Sequence, residues 1–240
     1  MLRALKTRLG ALLYPAERDH AAVVAMTAAQ WEGIARRTPT YLEAYIDRPG
    51  STGRAQRRAE WVAALPIFAA ATRVLEVGCA AGRNLAELHR HHPHLSLAGA
   101  DINAEALEVA RVTVPSAGLT WCNLYDLGHT WTPDPVDIVL TVGVLVHVAP
   151  LSLHWIFRQM LAAAPVLVLV EETGDGELAK GPRAWGAEKS TGAYCLWRQP
   201  LDRVLRMLGA AVEVSPLPED LCAPGATHVV IARRREDEGG

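Results

Sequence analysis

Two acidic residues stand at the ends of consecutive apolar runs that are typical of strands. Glu76 lies near the end of the run 73–78, and Asp101 closes the run 95–101. Gly78 and Gly82 frame a turn of small residues between the first run and a helical pattern. Glycine lets a backbone approach a ligand closely, and open α/β sheets hold ligands beyond the carboxyl ends of their strands. The pattern therefore predicts a nucleotide-type site.

The turn after the first strand differs from a dinucleotide-binding loop. Such a loop would read G-x-G-x-x-G and would direct a helix N-terminus at a pyrophosphate. Here Ala80 occupies the second glycine position, and the Glu76 carboxylate would lie close to that anion. Because like charges repel, a nicotinamide oxidoreductase is disfavoured and a cationic ligand is favoured.

The same stretch resembles the first motif of class I S-adenosylmethionine-dependent methyltransferases, E/D-x-G-x-G-x-G. Glu76, Gly78 and Gly82 match this motif and Ala80 departs from it. The resemblance implies S-adenosylmethionine as the cofactor, and it implies that Asp101 accepts hydrogen bonds from the two ribose hydroxyls. On this basis we predict the cofactor-binding residues to be Glu76, Gly78, Cys79, Ala80, Gly82, Asn84, Asp101, Ile102, Leu124, Tyr125, Asp126 and Val142.

The segment after the third strand resembles the part of the family that flanks the adenine. Leu124 and Tyr125 would cover the base, and Asp126 would accept a hydrogen bond from its exocyclic amine. The alternative is a plain turn in which Asp126 caps the backbone.

The loop after the fourth strand reads G-V-L-x-H at 143–147. It resembles methylases associated with pseudaminic acid biosynthesis, although Val142 stands where those commonly carry Lys. His147 is the predicted catalytic residue, since an ordinary histidine pKa of ~6.5 suits a general base. A hydrogen-bonded structural histidine is the alternative. The Asn-Pro-Pro-aromatic motif of nucleic-acid amino methyltransferases does not occur here.

Composition favours a small-molecule substrate over a macromolecular one. Half of the 240 residues are apolar and the net charge is −2, which offers no general attraction to nucleic-acid phosphates. We expect the basic stretch Arg54, Arg57 and Arg58 to be a solvated helix face. The cysteines 79, 122, 195 and 222 have no paired spacing, so neither a zinc site nor a disulfide is predicted.

No membrane contact is predicted. The longest apolar run, 161–170, is interrupted by Pro165 and is shorter than the ~20 residues of a membrane helix. The leucine-rich residues 1–13 suggest a helix, which is better explained by packing on its own domain than by lying on a membrane surface. They lack the features of a secretory signal, so we expect a cytoplasmic protein.

Apolar runs alternate with helical patterns from residue 73 onward, which is typical of a mostly parallel sheet covered by helices on both faces. The fold class is therefore α/β, a seven-stranded Rossmann-like sheet with an N-terminal helical appendage. Strands are predicted at 73–78, 95–101, 119–123, 136–142, 166–171, 211–215 and 228–233. Helices are predicted at 82–91, 103–112, 151–163 and 200–208, with Asn103 and Ser152 as N-caps.

The predicted organisation is a helical cap at 1–72, a methyltransferase domain at 73–235 and a tail at 236–240. Within that domain, residues 173–199 form either a substrate lid or a surface excursion. The predicted function is methylation of a hydroxyl or amine on a small metabolite, either sugar-like or a natural-product intermediate. The alternative is a catalytically inactive module of the same fold that binds the cofactor for an interaction. The sequence gives no indication of the oligomeric state.

Overall fold

A computed structural model describes residues 52–130, 135–148, 152–174, 178–180 and 196–235 of the chain. Most of the predicted helical cap, most of the predicted lid, the tail and Cys195 lie outside these residues. Within them, no helix is both long enough and apolar enough to span a membrane.

Seven strands form one sheet: β1 (Arg73–Val77), β2 (Ser96–Asp101), β3 (Gly118–Trp121), β4 (Ile138–Val142), β5 (Val166–Glu171), β8 (Ala211–Pro216) and β9 (His228–Arg233). Their order in the sheet is β3-β2-β1-β4-β5-β9-β8. The five strands from β3 to β5 are parallel, whereas β9 is antiparallel to both β5 and β8. The inner strands are continuous apolar runs because both faces of a parallel sheet are covered.

Helices cover both faces of this sheet: α1 (Thr52–Ala63), α2 (Arg83–His91), α3 (Ala104–Thr113), α4 (Leu127–Thr130), α5 (Leu153–Ala163) and α6 (Leu201–Met207). Alternate strand residues divide between two apolar clusters, with Leu75 and Val139 on one face and Val74 and Ile138 on the other. The first cluster includes residues of α5 and α6, and the second includes residues of α1, α2 and α3.

The predicted fold class is confirmed, and the seven strands and four helices predicted from residue 73 onward are present within a few residues of their predicted bounds. The helix suggested for residues 1–13 lies outside the described residues, and α1 lies inside the predicted helical region 1–72. The structure adds α4 and, inside the predicted lid segment, a two-stranded antiparallel sheet of β6 (Leu178–Lys180) with β7 (Leu196–Trp197). Short sequences such as these carry too little periodicity to be recognised in advance.

The two predicted N-caps differ. The Asn103 side chain accepts hydrogen bonds from the backbone N–H groups of Glu105 and Ala106, as a cap does. Ser152 occupies the cap position of α5, but its hydroxyl makes no capping bond. The expectation for Ser152 was therefore wrong in its hydrogen bonding, although the helix begins there.

The solvated basic face predicted on α1 is confirmed at Arg54 and Arg57, which are exposed, whereas Arg58 is partly buried. These arginines bind the 3₁₀ turn Glu219–Leu221 and the residue after it, and so attach the helix to the loop before β9. Burial lowers the pKa of Arg58. The contacts are Arg54 Nη1 to the Cys222 carbonyl at 3.1 Å, Arg58 Nη1 to the Leu221 carbonyl at 3.0 Å, and Arg57 to the Asp220 carboxylate at 3.6 Å.

Replacing Asn103 with Ala should lower the free energy of unfolding by about 0.5–2 kcal/mol, because two N–H groups of α3 lose their acceptor. Ser152→Ala is the matched control. Its hydroxyl is buried with no hydrogen-bond partner among the described residues, so a change within about 0.5 kcal/mol is expected. Urea denaturation measures both values, and equal losses in the two variants would contradict the assignment of the caps.

Candidate functional site

Pairing within the sheet brings four strand ends to one edge. Val77 of β1 lies beside Ala100 of β2, and Val142 of β4 lies beside Val170 of β5. β1 and β4 are adjacent, but the chain leaves them in opposite directions across the sheet, toward β2 and toward β5. Open α/β sheets bind ligands at such a switch point.

The turn after β1 alternates through left-handed backbone conformations. Gly78, Ala80 and Gly82 have φ angles of 76°, 45° and 82°. A left-handed conformation costs a non-glycine residue about 1–2 kcal/mol, and Ala80 is the only such residue in the described part of the chain. Its N–H donates to Asp101 Oδ2 at 2.8 Å, which helps to offset that cost. The departure at Ala80 therefore does not prevent a motif-like loop.

Gly78 is required by contact as well as by conformation. A Cβ added there would overlap the side chain of Val144, which comes from the loop after β4. The two loops that flank the switch point therefore touch each other directly.

Asp101 joins the end of β2 to the same loop. Its Oδ1 accepts the N–H of Asn103 at 2.8 Å, while Oδ2 accepts that of Ala80. Burial raises the pKa of this carboxyl. Each carboxylate oxygen has two lone pairs, so both oxygens keep capacity for a ligand donor.

Glu76 lies beneath the loop and is 1% exposed. Asn84 Nδ2 donates to Oε1 at 2.6 Å, and Oε2 has no hydrogen-bond partner among the described residues. Burial raises the Glu76 pKa to about 8; the hydrogen bond from Asn84 opposes this rise, and the nearby charge of Asp101 adds to it.

These two acids fit a cationic nucleoside cofactor. Burial disfavours both carboxylates, and a positive charge nearby would restore their ionised form. The negative charge of a phosphate would instead be repelled by the two carboxylates. The uncompensated Glu76 oxygen and the lone-pair capacity of Asp101 therefore agree with a ligand that has an ammonium, a sulfonium and ribose hydroxyls.

A cavity of about 820 Å³, counted with its part open to solvent, lies at this edge of the sheet. The predicted site residues in its wall are Gly78, Ala80, Asp101, Ile102, Leu124, Tyr125, Val142 and His147. The predicted residues that are not part of the wall are Glu76, Cys79, Gly82, Asn84 and Asp126.

Sequence reasoning missed half of the wall. Its other members are Val77, Asn103, Ala106, Cys122, Asn123, Gly143, Val144 and Val148. Most of these adjoin a residue that was predicted, so extending each motif by one or two positions would have found them. Ala106 was not signalled in that way, because it reaches the cavity only through the first turns of α3.

The segment after β3 is a 3₁₀ turn, Leu124–Asp126, capped by the Asn123 side chain. Its Tyr125 carbonyl accepts hydrogen bonds from Trp155 Nε1 at 3.3 Å and Gln159 Nε2 at 3.5 Å, which fix the turn against α5. Leu124 and Tyr125 line the cavity and Asp126 does not. The adenine contact of Asp126 stays a prediction.

His147 ends the 3₁₀ turn Leu145–His147 after β4 and lines the same cavity. Burial lowers its pKa to about 3, so the imidazole is neutral at physiological pH. The buried Glu171 carboxylate accepts the N–H groups of Val144 at 2.9 Å and Leu145 at 3.0 Å. Its own pKa is raised to about 7 by burial.

The family described as "Methyltransferase domain" matches residues 74–164, which include the glycine loop, Asp101 and His147. Residues 74–164 therefore match a methyltransferase domain. The cofactor of this family is S-adenosylmethionine. The match covers β1 through α5 and therefore the loops that build most of the cavity.

Solved methyltransferases share the fold. SibL, an S-adenosylmethionine-dependent methyltransferase in its apo form, is 21% identical with a TM-score of 0.59, over 78% of this chain and 57% of SibL. The mitomycin 7-O-methyltransferase MmcR is 20% identical with a TM-score of 0.56, over 75% of this chain and 54% of MmcR. This chain thus spans little more than half the length of SibL and MmcR.

Magnesium protoporphyrin IX methyltransferase (ChlM) from Synechocystis PCC 6803, solved with bound S-adenosylmethionine, corresponds over almost its whole length. It is 13% identical with a TM-score of 0.62, over 87% of this chain and 97% of ChlM. Among curated proteins, no match to the sequence was found. At these identities the likeness to solved structures establishes the fold of the methyltransferase domain.

Glu76 should make the stability of the methyltransferase domain depend on pH. The unfolded chain loses this proton near the ordinary glutamate pKa of ~4.3, whereas the folded chain loses it near 8. The unfolded state therefore binds fewer protons in this window, and stability should fall as pH rises from about 5 to 8. Glu76→Gln should reduce that slope, measured by urea denaturation across the pH range.

Glu108→Gln is the control for this experiment, because Glu108 lies on the exposed side of α3 with 73% of its side chain accessible. It should keep the slope of the unmodified protein. A Glu76→Gln variant with an unchanged slope would contradict the burial of an uncompensated carboxyl at this position.

Proposed function

We propose that the chain transfers a methyl group from S-adenosylmethionine to a hydroxyl or amine of a small metabolite, sugar-like or a natural-product intermediate. The observation that carries this proposal is a cavity whose wall contains Asp101 at the end of β2, the glycine loop after β1 and His147 after β4. Asp101 and the glycine loop suit a cationic nucleoside, and His147 can accept a proton.

In this proposal the cofactor occupies the part of the cavity formed by β1, β2 and β3. Asp101 accepts hydrogen bonds from the ribose hydroxyls, and Gly78 allows close approach to the amino-acid end. Leu124 and Tyr125 cover the adenine. Glu76 acts from beneath the loop through its charge, since it is buried outside the cavity wall.

S-adenosylmethionine supplies an electrophilic methyl group on a sulfonium, so the protein mainly aligns the reactants and removes a proton from the acceptor. His147 is neutral and can accept a hydrogen bond from a hydroxyl or amine. Because its burial disfavours the imidazolium, a proton accepted there must pass on to solvent or to a product group. His147 therefore orients the acceptor and takes up its proton only transiently.

Two further features support a small acceptor. The net charge of −2 does not favour nucleic acid. Two fold relatives, MmcR and ChlM, are named for small-molecule substrates, a mitomycin and a magnesium porphyrin. The acceptor of this chain need not resemble either compound.

We also propose the domain organisation predicted above, with residues 173–199 as a lid. Strand β7, near the end of that segment, lies against the 3₁₀ turn that carries His147. A segment attached at this place can cover the acceptor, and residues 1–72 can add a helical cap to the domain.

Asp101→Ala should weaken S-adenosylmethionine binding by about 1–3 kcal/mol, because the ribose hydroxyls lose a charged acceptor. Isothermal titration calorimetry measures the affinity. Asp202→Ala is the matched control, since Asp202 is a partly exposed acid on α6 that pairs only loosely with Arg206 at 3.9 Å. Unchanged affinity in Asp101→Ala would remove this residue from the cofactor site.

His147→Gln should lower kcat by about 10²–10⁴-fold with an acceptor hydroxyl, while leaving cofactor affinity nearly unchanged. The assay is release of S-adenosylhomocysteine during a screen of metabolite acceptors. With the unmodified protein, the rate should show no inflection from His147 between pH 5 and 8, because its pKa lies near 3. Cofactor binding without release on any acceptor would instead favour an inactive binding module.

A further inference from the structure

The side chain of Gln199 is completely buried beside the turn that carries His147. Its Nε2 donates to the backbone carbonyl of Leu145 at 2.9 Å and to that of Val148 at 2.5 Å. These two carbonyls stand on either side of His147 in the chain. The side-chain amide of Gln199 therefore connects the two ends of the turn by hydrogen bonds.

Glu171 holds the beginning of the same turn from β5. Its two carboxylate oxygens accept the N–H groups of Val144 and Leu145. Glu171 thus binds the N–H groups at the start of the turn, and Gln199 binds the carbonyls of Leu145 and Val148. Both side chains are distant from the turn in sequence. The turn contributes Gly143, Val144, His147 and Val148 to the cavity wall, so its position sets the shape of that wall.

Gln199 also lies at the base of the segment 173–199. The backbone carbonyl of Gln199 accepts the N–H of Gly174 at 2.9 Å, and the backbone N–H of Gln199 donates to the Glu172 carbonyl at 3.3 Å. The two ends of the segment are therefore bonded together at this point.

We propose that Gln199 is a positioning residue that holds the 143–148 turn, and with it His147, in the cavity and connects this turn to the backbone at Glu172 and Gly174. The inference rests on the proposed function, because it takes the cavity as the place where cofactor and acceptor meet. Gln199 is not part of the cavity wall and acts only through the turn.

The chemistry of the contact explains the residue type. The Leu145 carbonyl also accepts the Val148 N–H at 3.0 Å, so Gln199 supplies its second hydrogen bond together with one to the Val148 carbonyl. A carboxamide provides both donors on one nitrogen without burying a charge. A lysine would bring a charge into the same space, and a methionine would fill the space with no donor. Gln199→Met therefore removes the two hydrogen bonds at nearly constant volume.

Arg198→Ala is the matched control. Arg198 is the neighbouring residue, is half exposed, and pairs with Glu172 at 2.8 Å. This substitution removes an ion pair at the same junction and leaves the amide contacts of the turn in place. A change that both variants show arises from the contacts of residues 198 and 199 with residues 172 and 174. A change that only Gln199→Met shows arises from the 143–148 turn.

Two measurements on the full chain test the proposal. Calorimetry with S-adenosylhomocysteine should show about tenfold weaker binding in Gln199→Met, as the loss of a wall-forming contact predicts, and less than about twofold change in Arg198→Ala. NMR of histidine-labelled protein should show a moved imidazole signal for His147 in Gln199→Met alone. The signal is assigned by its disappearance in His147→Gln.

The outcomes separate the two proposals. If the unmodified chain does not bind S-adenosylhomocysteine, the proposed function fails, and the His147 signal still decides the role of Gln199. If it binds and Gln199→Met leaves both affinity and signal unchanged, the positioning role is overturned.

A second variant covers the case in which Gln199→Met does not fold. Glu171→Gln keeps the size of the group but leaves one N–H of the turn without its acceptor, so the same His147 signal should move. A folded Glu171→Gln protein with an unmoved signal would overturn the proposed control of the turn. Its thermal unfolding curve establishes folding in advance.

Discussion

The parallel pairing of β1 with β2 on one side and β4 on the other is the constraint on which the site depends. It places the glycine loop, Asp101 and the His147 turn at one edge, although Glu76 and His147 are 71 positions apart in the chain. Backbone hydrogen bonds between the paired strands hold this arrangement. The loops then contact each other directly, since Val144 fills the space above Gly78.

Local features of the site could be predicted because each depends on residues that are close together in the sequence. Gly78 and Gly82 were recognised from the left-handed turn that only small residues allow, and Asp101 from its place at the end of an apolar run. The seven strands followed from continuous apolar runs bounded by polar residues. Asn103 was identified as a cap because its residue type and its position before a helical pattern agree.

Contacts between distant segments could not be predicted in the same way. Nothing at Gln199 signals that its amide meets Leu145 and Val148, because the partners lie about 50 residues earlier and depend on the path of the intervening chain. Glu76 is 1% exposed and accepts a hydrogen bond from Asn84, a contact that the motif does not indicate. Arg54 and Arg58 of α1 likewise donate to backbone carbonyls that no local pattern indicates.

Burial acts on the titratable groups of the site in one consistent direction, toward neutrality. It raises the pKa values of Glu76, Asp101 and Glu171 and lowers that of His147. A cation entering the cavity would reverse this tendency for the nearby carboxyls and strengthen it for the imidazole. Cofactor charge would thus ionise the acids that hold it and keep the histidine in the form that accepts a proton. The positive charge of the cofactor would thus favour both its own binding by the carboxyls and proton acceptance by His147. The cofactor part and the acceptor part of the site are therefore coupled by electrostatics as well as by the turn between them.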